Sequence, residues 1–301
     1  MPTFKPPFWI GDRQFSADDL ALIQTIVKEF KHLSRKELAA TLCANLPWQA
    51  PNGRLKVNGC RLLLEKMHDA GLIVLPPKRR QVTKTIGNTK VPPLPVTEEK
   101  GPLAPLRPIT VEPVLKEEIA LFNATIDAYH PLGMGQPFGA HQRYWIKSKA
   151  GGTNRILGAL LFAAPAKALA ARDHWIGWTP DERRRFLYRI VGNSRFLILP
   201  GIQVPHLASH VLALAARRLR ADWLARYGYA PVLLETYVMS PHDGTCYAAT
   251  NWHLIGETAS IGHGYRQGKA SPKLIFVYPL TRDWRRELYA PVPIVEDDDV
   301  I

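Results

Sequence analysis

The sequence predicts an α+β protein with an N-terminal winged-helix-like helical domain, a proline-rich linker and a C-terminal mixed α/β domain. Residues 195–238 indicate a strand, a polar turn, a long helix and a second strand, which together form a βαβ unit. The chain before about residue 76 has helical periodicity and helix-capping signals. Between these regions prolines recur without a helical period. We therefore expect domain boundaries at 1–76, 77–112 and 113–301.

Length and composition indicate a globular protein that can bury a core. The chain has 301 residues, of which 46% are hydrophobic and 22% charged. It has no apolar run of about 18 residues, the length that a membrane span needs, and its first residues lack a signal-peptide pattern. We expect a cytoplasmic protein without a membrane partner. The widely spaced Cys43, Cys60 and Cys246 support neither a disulfide framework nor a structural zinc site.

The charge of the chain indicates a polyanionic partner. The formal net charge is +13 and the isoelectric point is near 9.7. Most of the excess lies before residue 110. Because a field of this sign attracts phosphate backbones, nucleic acid is the expected partner.

The N-terminal elements follow from capping signals and apolar periods. A first helix is expected at 17–30, and Ser34 with Glu37 forms a capping box that opens a second helix. A third helix is expected at 57–70, followed by a strand at 72–75. This order outlines a winged helix whose third helix enters the major groove of DNA. A helical dimerisation or protein-docking module is the alternative.

The candidate DNA contacts are basic or amide side chains around the third helix and in the linker. Prolines keep such a linker extended and semi-rigid, so its basic cluster could add phosphate contacts. The candidates are Arg54, Lys56, Asn58, Arg61, Lys66, Lys78, Arg79 and Arg80.

The C-terminal domain is predicted to contain a strand, a helix and a hairpin before the βαβ unit, and a helix and two strands after it. Two helices are inserted between the hairpin and the βαβ unit. The expected ranges are 109–114, 115–129, 143–149, 155–163, 164–172, 179–191, 195–200, 206–228, 230–238, 247–252, 253–258 and 274–278.

The turn of the βαβ unit is the candidate ligand site. Small or polar residues stand where the free N–H groups of a helix N-terminus point outward, and such groups bind anions. The expected binding residues are Gln203, Val204, His206, Ala208 and Ser209, with a phosphate-bearing ligand. An ordinary βα turn is the alternative.

This turn resembles the pyrophosphate loop of the GCN5-related acetyltransferases. The spacing Gln203-x-x-His206-x-Ala208 is similar to that loop, although the family has glycine where this chain has His206. The predicted order of helices and strands is also that of the acetyltransferase fold. The resemblance implies an acetyltransferase-like domain that binds acyl-CoA or another phosphate-bearing nucleotide.

Longer strings resemble the DruA family of the Druantia anti-phage systems. They are YHPLG at 129–133, LGALLFAAPAKALAARDHWIGW, NSRFLILPGIQVPHLASHVLALAARRL, YGYAPVLLETYV and GTCYAATNWHLIGET, together with residues 34–77. This resemblance covers nearly the whole chain. It implies a setting in phage defence or near mobile genetic elements, with partner proteins from such a system.

A more distant resemblance concerns the phage Mom proteins, acetyltransferase-fold enzymes that alter adenine in DNA. Ser194-Arg195-Phe196 followed by Leu207-Ala208-Ser209 is similar to the corresponding strand and helix start. Tyr247-x-x-x-Asn251-Trp252-x-x-x-Gly256 is similar to the penultimate helix and strand. The resemblance implies a nucleotide held at the helix N-terminus beside a DNA surface.

Four residues are candidates for catalysis. Glu235 ends an apolar strand, where desolvation raises the pKa of a carboxyl towards that of a general base; pairing with Arg195 is the alternative. Asn193 could orient the base or the ligand, or only cap the start of the strand. His130 could shuttle a proton or be only a turn residue. Tyr247 could protonate a leaving thiolate or simply pack in the core.

Three functions compete. The first is a DNA-binding protein whose acetyltransferase-like domain modifies DNA or an associated protein, with Trp175 and Trp178 stacking on an extruded base or packing in the core. The second is a nuclease or strand-transferase of a mobile element, in which Asp173, Glu235 and Asp243 hold Mg²⁺. The third is a non-catalytic DNA-binding recruiter of a defence complex.

Overall fold

A computed structural model describes residues 4–50, 55–77, 91–137, 139–258 and 272–290. The chain divides into two compact units, with the described residues up to 77 in the first and those from 91 onward in the second. Within the described ranges, no helix combines the length and the apolarity needed to cross a bilayer.

The first unit begins with a hairpin and continues with three helices. Ser16 and Ser34 each accept from the backbone N–H three residues on, which completes the two N-terminal capping boxes. Its core is formed by buried apolar residues of all three helices. The elements are β1 (Phe8–Ile10), β2 (Arg13–Phe15), α1 (Ala17–Glu29), α2 (Arg35–Asn45) and α3 (Val57–Asp69).

Two features of this unit differ from the expectation. The strand expected at 72–75 is absent: described residues 70–77 form no strand after α3. The hairpin β1–β2 was not anticipated, although Gly11-Asp12 directly after the apolar run Phe8–Ile10 is a two-residue turn signal. The winged helix stays a prediction.

The second unit contains a large mixed sheet and six helices among its described residues. The strands are β3 (Glu99–Lys100), β4 (Ile109–Pro113), β5 (His141–Ser148), β6 (Arg155–Ala163), β7 (Ile190–Ile198), β8 (Ile202–Gln203), β9 (Leu233–Met239), β10 (His253–Glu257) and β11 (Lys273–Pro279). The helices are α4 (Ile119–Tyr129), α5 (Ala170–Ile176), α6 (Pro180–Phe186), α7 (Leu207–Tyr227), α8 (Thr245–Ala248) and α9 (Trp284–Tyr289).

The sheet has the order β10-β11-β9-β7-β6-β5-β4 within the described part of the chain. All neighbours are antiparallel except β7 and β9, which are parallel and joined through α7. This arrangement confirms the predicted βαβ unit, and the sequence of elements is the one that the acetyltransferase resemblance implies, with α5 and α6 inserted. The second unit therefore has an acetyltransferase-like fold.

The parallel strands β7 and β9 pair only at their amino ends. The pairing runs from Ile190 opposite Leu233 to Asn193 opposite Thr236. Beyond these positions β7 continues to Ile198 beside β6, and β9 continues beside β11. The two strands are therefore no longer paired towards their carboxyl ends, and this opening between them is called the cleft below.

Helix α7 lies against the sheet through the apolar stripe that the sequence predicts. Leu207, Val211, Ala215 and Leu219 are buried in the main core. Farther along the helix, Arg218 forms an ion pair with Asp222 and donates to the backbone of β4. The hydroxyl of Tyr144 on β5 donates to Asp222 at 2.8 Å. These contacts fix the orientation of α7 on β4 and β5.

The interpretation of residues 77–112 as a linker needs correction for its described part. Leu94 donates to Thr125 of α4 and accepts from the hydroxyl of Tyr129 at 2.7 Å. β3 pairs in parallel with β8, and Leu106 is buried in the main core. The proline-containing segment therefore packs on the second unit, and the chain from residue 91 is part of that unit.

Candidate functional site

The N-terminus of α7 presents free backbone amides at the carboxyl end of β7. Its cap residue His206 makes no side-chain hydrogen bond to the helix. The hydroxyl of Ser209 donates back to the carbonyl oxygen of His206 at 3.1 Å. Among the described residues, no acceptor contacts the N–H groups of Ala208 and Ser209. Free amides at the end of a long helix form an anion-binding site.

His206 keeps the backbone shape expected of glycine. Its φ is +64°, in the left-handed region that glycine adopts most readily. The preceding residues are held by hydrogen bonds: Leu207 donates to Val204 at 3.3 Å, and Gln203 pairs with Lys100 in the two-stranded sheet β3–β8. His206 therefore adopts a backbone conformation that glycine would adopt without strain.

Asn193, Thr236 and Tyr247 meet where β7 and β9 separate. The hydroxyl of Thr236 donates to the carbonyl oxygen of Asn193 at 3.2 Å, and the Tyr247 hydroxyl lies 3.5 Å from the side-chain oxygen of Asn193. The side-chain nitrogen of Asn193 is buried and has no partner among the described residues. A buried donor without an acceptor is costly, so this nitrogen fits a ligand carbonyl or a water in the cleft.

Burial raises the pKa of the Tyr247 hydroxyl. The ring lies against Phe276 at 5.8 Å and Trp252 at 5.0 Å between centroids. The ring therefore packs in the core, and the hydroxyl lies 3.5 Å from the hydroxyl of Thr236, another buried group. The role of Tyr247 as a proton donor stays a prediction. At neutral pH the group retains its proton.

His130 follows α4 and is held neutral. Burial, with the charges of Arg195 and His242 nearby, lowers the pKa of His130 to about 4. Its Nδ1 accepts from the N–H of Leu132 at 3.2 Å, which places the proton of the neutral ring on Nε2. At physiological pH the ring can therefore donate a hydrogen bond from Nε2, but its Nδ1 is already occupied.

Glu235 is fully buried in an ion pair with Arg172, whose Nη1 lies 2.8 Å from Oε2. Its Oε1 accepts from the backbone N–H of Ala166 and from the Tyr237 hydroxyl. Arg195, the partner considered from the sequence, donates instead to backbone carbonyls. Both carboxylate oxygens are engaged, so the geometry favours a structural carboxylate over a free general base.

Asp173 belongs to the same buried network. Its oxygens accept from Arg172, Arg183 and the indole N–H of Trp178. Asp243 binds its own turn through the N–H and hydroxyl of Thr245. Within the described residues, no group of three histidine, cysteine or carboxylate side chains can hold a metal ion. The magnesium alternative built on Asp173, Glu235 and Asp243 is therefore not supported.

The tryptophans proposed to stack on a base have different environments. Trp178 is buried in a small core with Ile176 and Trp284. Trp175 is half-buried and stacks on Trp284, with ring centroids 4.9 Å apart and planes 5° from parallel. Trp178 thus packs in the core, whereas Trp175 borders the surface.

The described DNA-contact candidates lie on or beside α3. Lys56 is engaged by Asp12 at 2.6 Å. Asn58, Arg61 and Lys66 are exposed. The remaining candidates lie outside the described residues: Arg54, Lys78, Arg79 and Arg80.

The site contains residues that the sequence did not indicate. Arg172 lies in a run noted for its mixed charge and indoles, but its pairing with Glu235 spans 63 positions. Thr236 had no signal beyond its position next to Glu235. Only the tertiary structure brings Arg172 to Glu235 and Thr236 opposite Asn193.

Comparison with known proteins gives a family and a set of structural likenesses. The family model described as Druantia protein DruA matches residues 78–266. Spermidine N-acetyltransferase from Vibrio cholerae, solved with CoA and spermine, is similar over 57% of this chain and 95% of its own, with 10% identity and a TM-score of 0.38. Ribosomal-protein-S5-alanine acetyltransferase from Vibrio fischeri is similar over 58% and 94%, with 11% identity and a TM-score of 0.37. No curated protein matches the sequence.

The family match spans more than half of the chain and includes the cleft residues and the N-terminus of α7. The assignment of the fold rests on the strand order and pairing of the second unit. The family match agrees with the resemblance to the DruA family in the sequence strings between residues 129 and 258. The chain belongs to the DruA family.

Proposed function

We propose that the second unit binds acyl-CoA and transfers its acyl group to an acceptor on DNA that the first unit holds. The observation that carries the proposal is the free amide pair of Ala208 and Ser209 at the end of β7. These amides follow the carboxyl end of β7, the strand that forms one side of the cleft. One elongated ligand can therefore contact both the amides and the cleft. The DruA family adds a setting in phage defence.

The ligand would be held through its pyrophosphate by the amides of Ala208 and Ser209, with Gln203, Val204 and His206 around it. The buried nitrogen of Asn193 fits a carbonyl acceptor in the cleft. Acyl-CoA would supply an activated thioester. Tyr247 retains its proton and can release it to a departing thiolate, while His130 can orient an acceptor through Nε2.

We expect Ser209→Glu to weaken acetyl-CoA binding by about 100-fold, because a carboxylate beside a pyrophosphate costs several kcal/mol. Isothermal titration calorimetry of the full chain measures the affinity. Ser209→Ala is the matched control: it removes only the hydroxyl bonded to His206 and should bind within about threefold of wild type. Equal affinity of Ser209→Glu and wild type would reject this site.

Transfer is tested separately from binding. Incubation of the full chain with isotope-labelled acetyl-CoA and DNA should add one acyl mass to a nucleoside, as read by mass spectrometry after digestion. Binding of acetyl-CoA without any label in DNA or protein would favour the recruiter function.

The net charge of +13 and the exposed cations of α3 support a DNA-binding role for the first unit. We expect Arg61→Ala to weaken duplex binding and to reduce the slope of log K against log salt by about 0.9, one phosphate contact. Lys28→Ala, which removes an exposed charge from α1, should leave the slope unchanged. Equal slopes for all three proteins would favour a protein-docking module.

A further inference from the structure

A groove of about 480 Å³ lies at one end of the strand pair β10–β11. Its volume falls in the range of small-molecule sites, about 300–1,000 Å³. Most of the lining residues are polar or aromatic, and Pro279 and Leu280 are the aliphatic ones. It includes Asn251, His253, Tyr278, Arg282 and Trp284.

The strand register separates this groove from the cleft. Pro279 of β11 lies opposite Leu233, at the end where β9 is still paired with β7. His253 of β10 lies opposite Val277, near the same end. The cleft opens at the other end of β9, beyond Thr236. The groove therefore lies near the amino end of β9, whereas the cleft lies towards its carboxyl end.

The groove carries positive charge that is not neutralised. Arg282 lines the groove and Arg285 lies nearby on α9; both are exposed, and neither has a carboxylate partner among the described residues. The acidic side chains of α9 and of its N-cap are already paired: Asp283 lies 3.4 Å from Arg286, and Glu287 lies 2.9 Å from Arg220. An anion entering the groove would therefore meet free cations and no free carboxylate of α9.

Two aromatic rings form the aromatic wall of the groove: that of Tyr278 is half-buried, and that of Trp284 is buried. Trp284 stacks on Trp175, and the guanidinium of Arg285 lies over the Trp284 ring, 4.3 Å from its centroid. Backbone carbonyls of Trp175 and Ile176 hold that guanidinium in place. The exposed imidazole of His253 lies 6.1 Å from Trp175. Cations fixed beside ring faces are the combination that recognises phosphate and base together.

We propose that this groove binds single-stranded nucleic acid, with phosphate at Arg282 and His253 and a base against the half-buried ring of Tyr278. A duplex hides its base faces in the stack, so the aromatic wall favours single strands. The site is independent of acyl-CoA binding and adds a nucleic-acid surface on the second unit. A long substrate could contact it and the cleft together.

The test measures anisotropy of a fluorescent oligothymidylate with the full chain, in an Arg61→Ala background that weakens the first unit's contacts. Arg282→Glu should lower the affinity at least tenfold, about 1.4 kcal/mol. Arg217→Glu, the same charge change at an exposed position of α7, should stay within about twofold. Arg282→Ala should reduce the salt slope by about 0.7, the value for one phosphate of a single strand.

Equal losses from Arg282→Glu and Arg217→Glu would overturn the proposal, as would equal preference for a duplex. His253→Ala provides a second, milder variant on another strand, and a loss there also supports the groove. Acetyl-CoA affinity measured on Arg282→Glu should match wild type. If the wild type failed to bind acyl-CoA, the function proposed for the cleft would be rejected, and the proposal for the groove would still stand.

Discussion

Replacing Arg172 with alanine should lower the free energy of unfolding by about 3–5 kcal/mol, because it leaves a buried carboxylate without its cation. Arg172 and Glu235 are both fully buried, and their charged atoms lie 2.8 Å apart. The change also removes a donor to Asp173 and to the carbonyl oxygen of Ala166. Urea denaturation of the full chain, followed by tryptophan fluorescence, measures the loss.

The control is Arg183→Ala, which removes a more exposed partner of Asp173. It should cost no more than about 1 kcal/mol. Arg172→Met combined with Glu235→Gln removes both buried charges and should recover part of the loss. If Arg172→Ala lowered the free energy of unfolding by less than Arg183→Ala does, the buried ion pair would not be what holds α5 to the sheet.

The same network has a pH dependence. Burial favours a higher pKa for the Asp173 carboxyl, but hydrogen bonds from Arg183 and Arg172 outweigh it and hold the pKa below its usual value. The stability that this provides is full above the pKa of an unfolded aspartate and is lost as the pH falls through the lowered folded value. The loss of stability on acidification should be smaller in Arg172→Ala than in the wild type.

Gly158→Ala should destabilise the second unit by about 3 kcal/mol, the upper end for an overpacked core. A Cβ at this position would lie 2.2 Å from the carbonyl oxygen of Leu197 and 2.9 Å from the end of Ile146. Leu197 belongs to β7, so relief of the clash must move β7 away from β6. Because β7 also carries Asn193 and leads to α7, acetyl-CoA affinity should fall with stability.

Gly192→Ala is the matched control on the neighbouring strand. Its added Cβ would meet the nearest atoms at 3.7 Å, an ordinary contact. We expect a change within about 1 kcal/mol, because no backbone needs to move. Thermal denaturation of the two variants side by side gives the comparison. Equal effects would mean that the approach of β7 to β6 at Gly158 is not tight.

Most elements could be predicted because their signals are local. Ser34 and Glu37 stand three residues apart and cap one helix, and the apolar stripe of α7 repeats at helical spacing. The hairpin of β5 and β6 follows from two apolar runs around Gly151 and Gly152. The order of these elements was enough to indicate the acetyltransferase-like fold.

The sequence by itself determined the order in which most helices and strands alternate and the long helix that joins β7 to β9, because capping residues and apolar periods are local signals. Only the tertiary structure decided that Glu235 pairs with Arg172, that residues 91–106 pack on the second unit, and that β7 and β9 separate after Asn193. These facts depend on which distant segments become neighbours. A charged side chain binds whichever partner the sheet register brings within reach, and no local period in the chain encodes that choice.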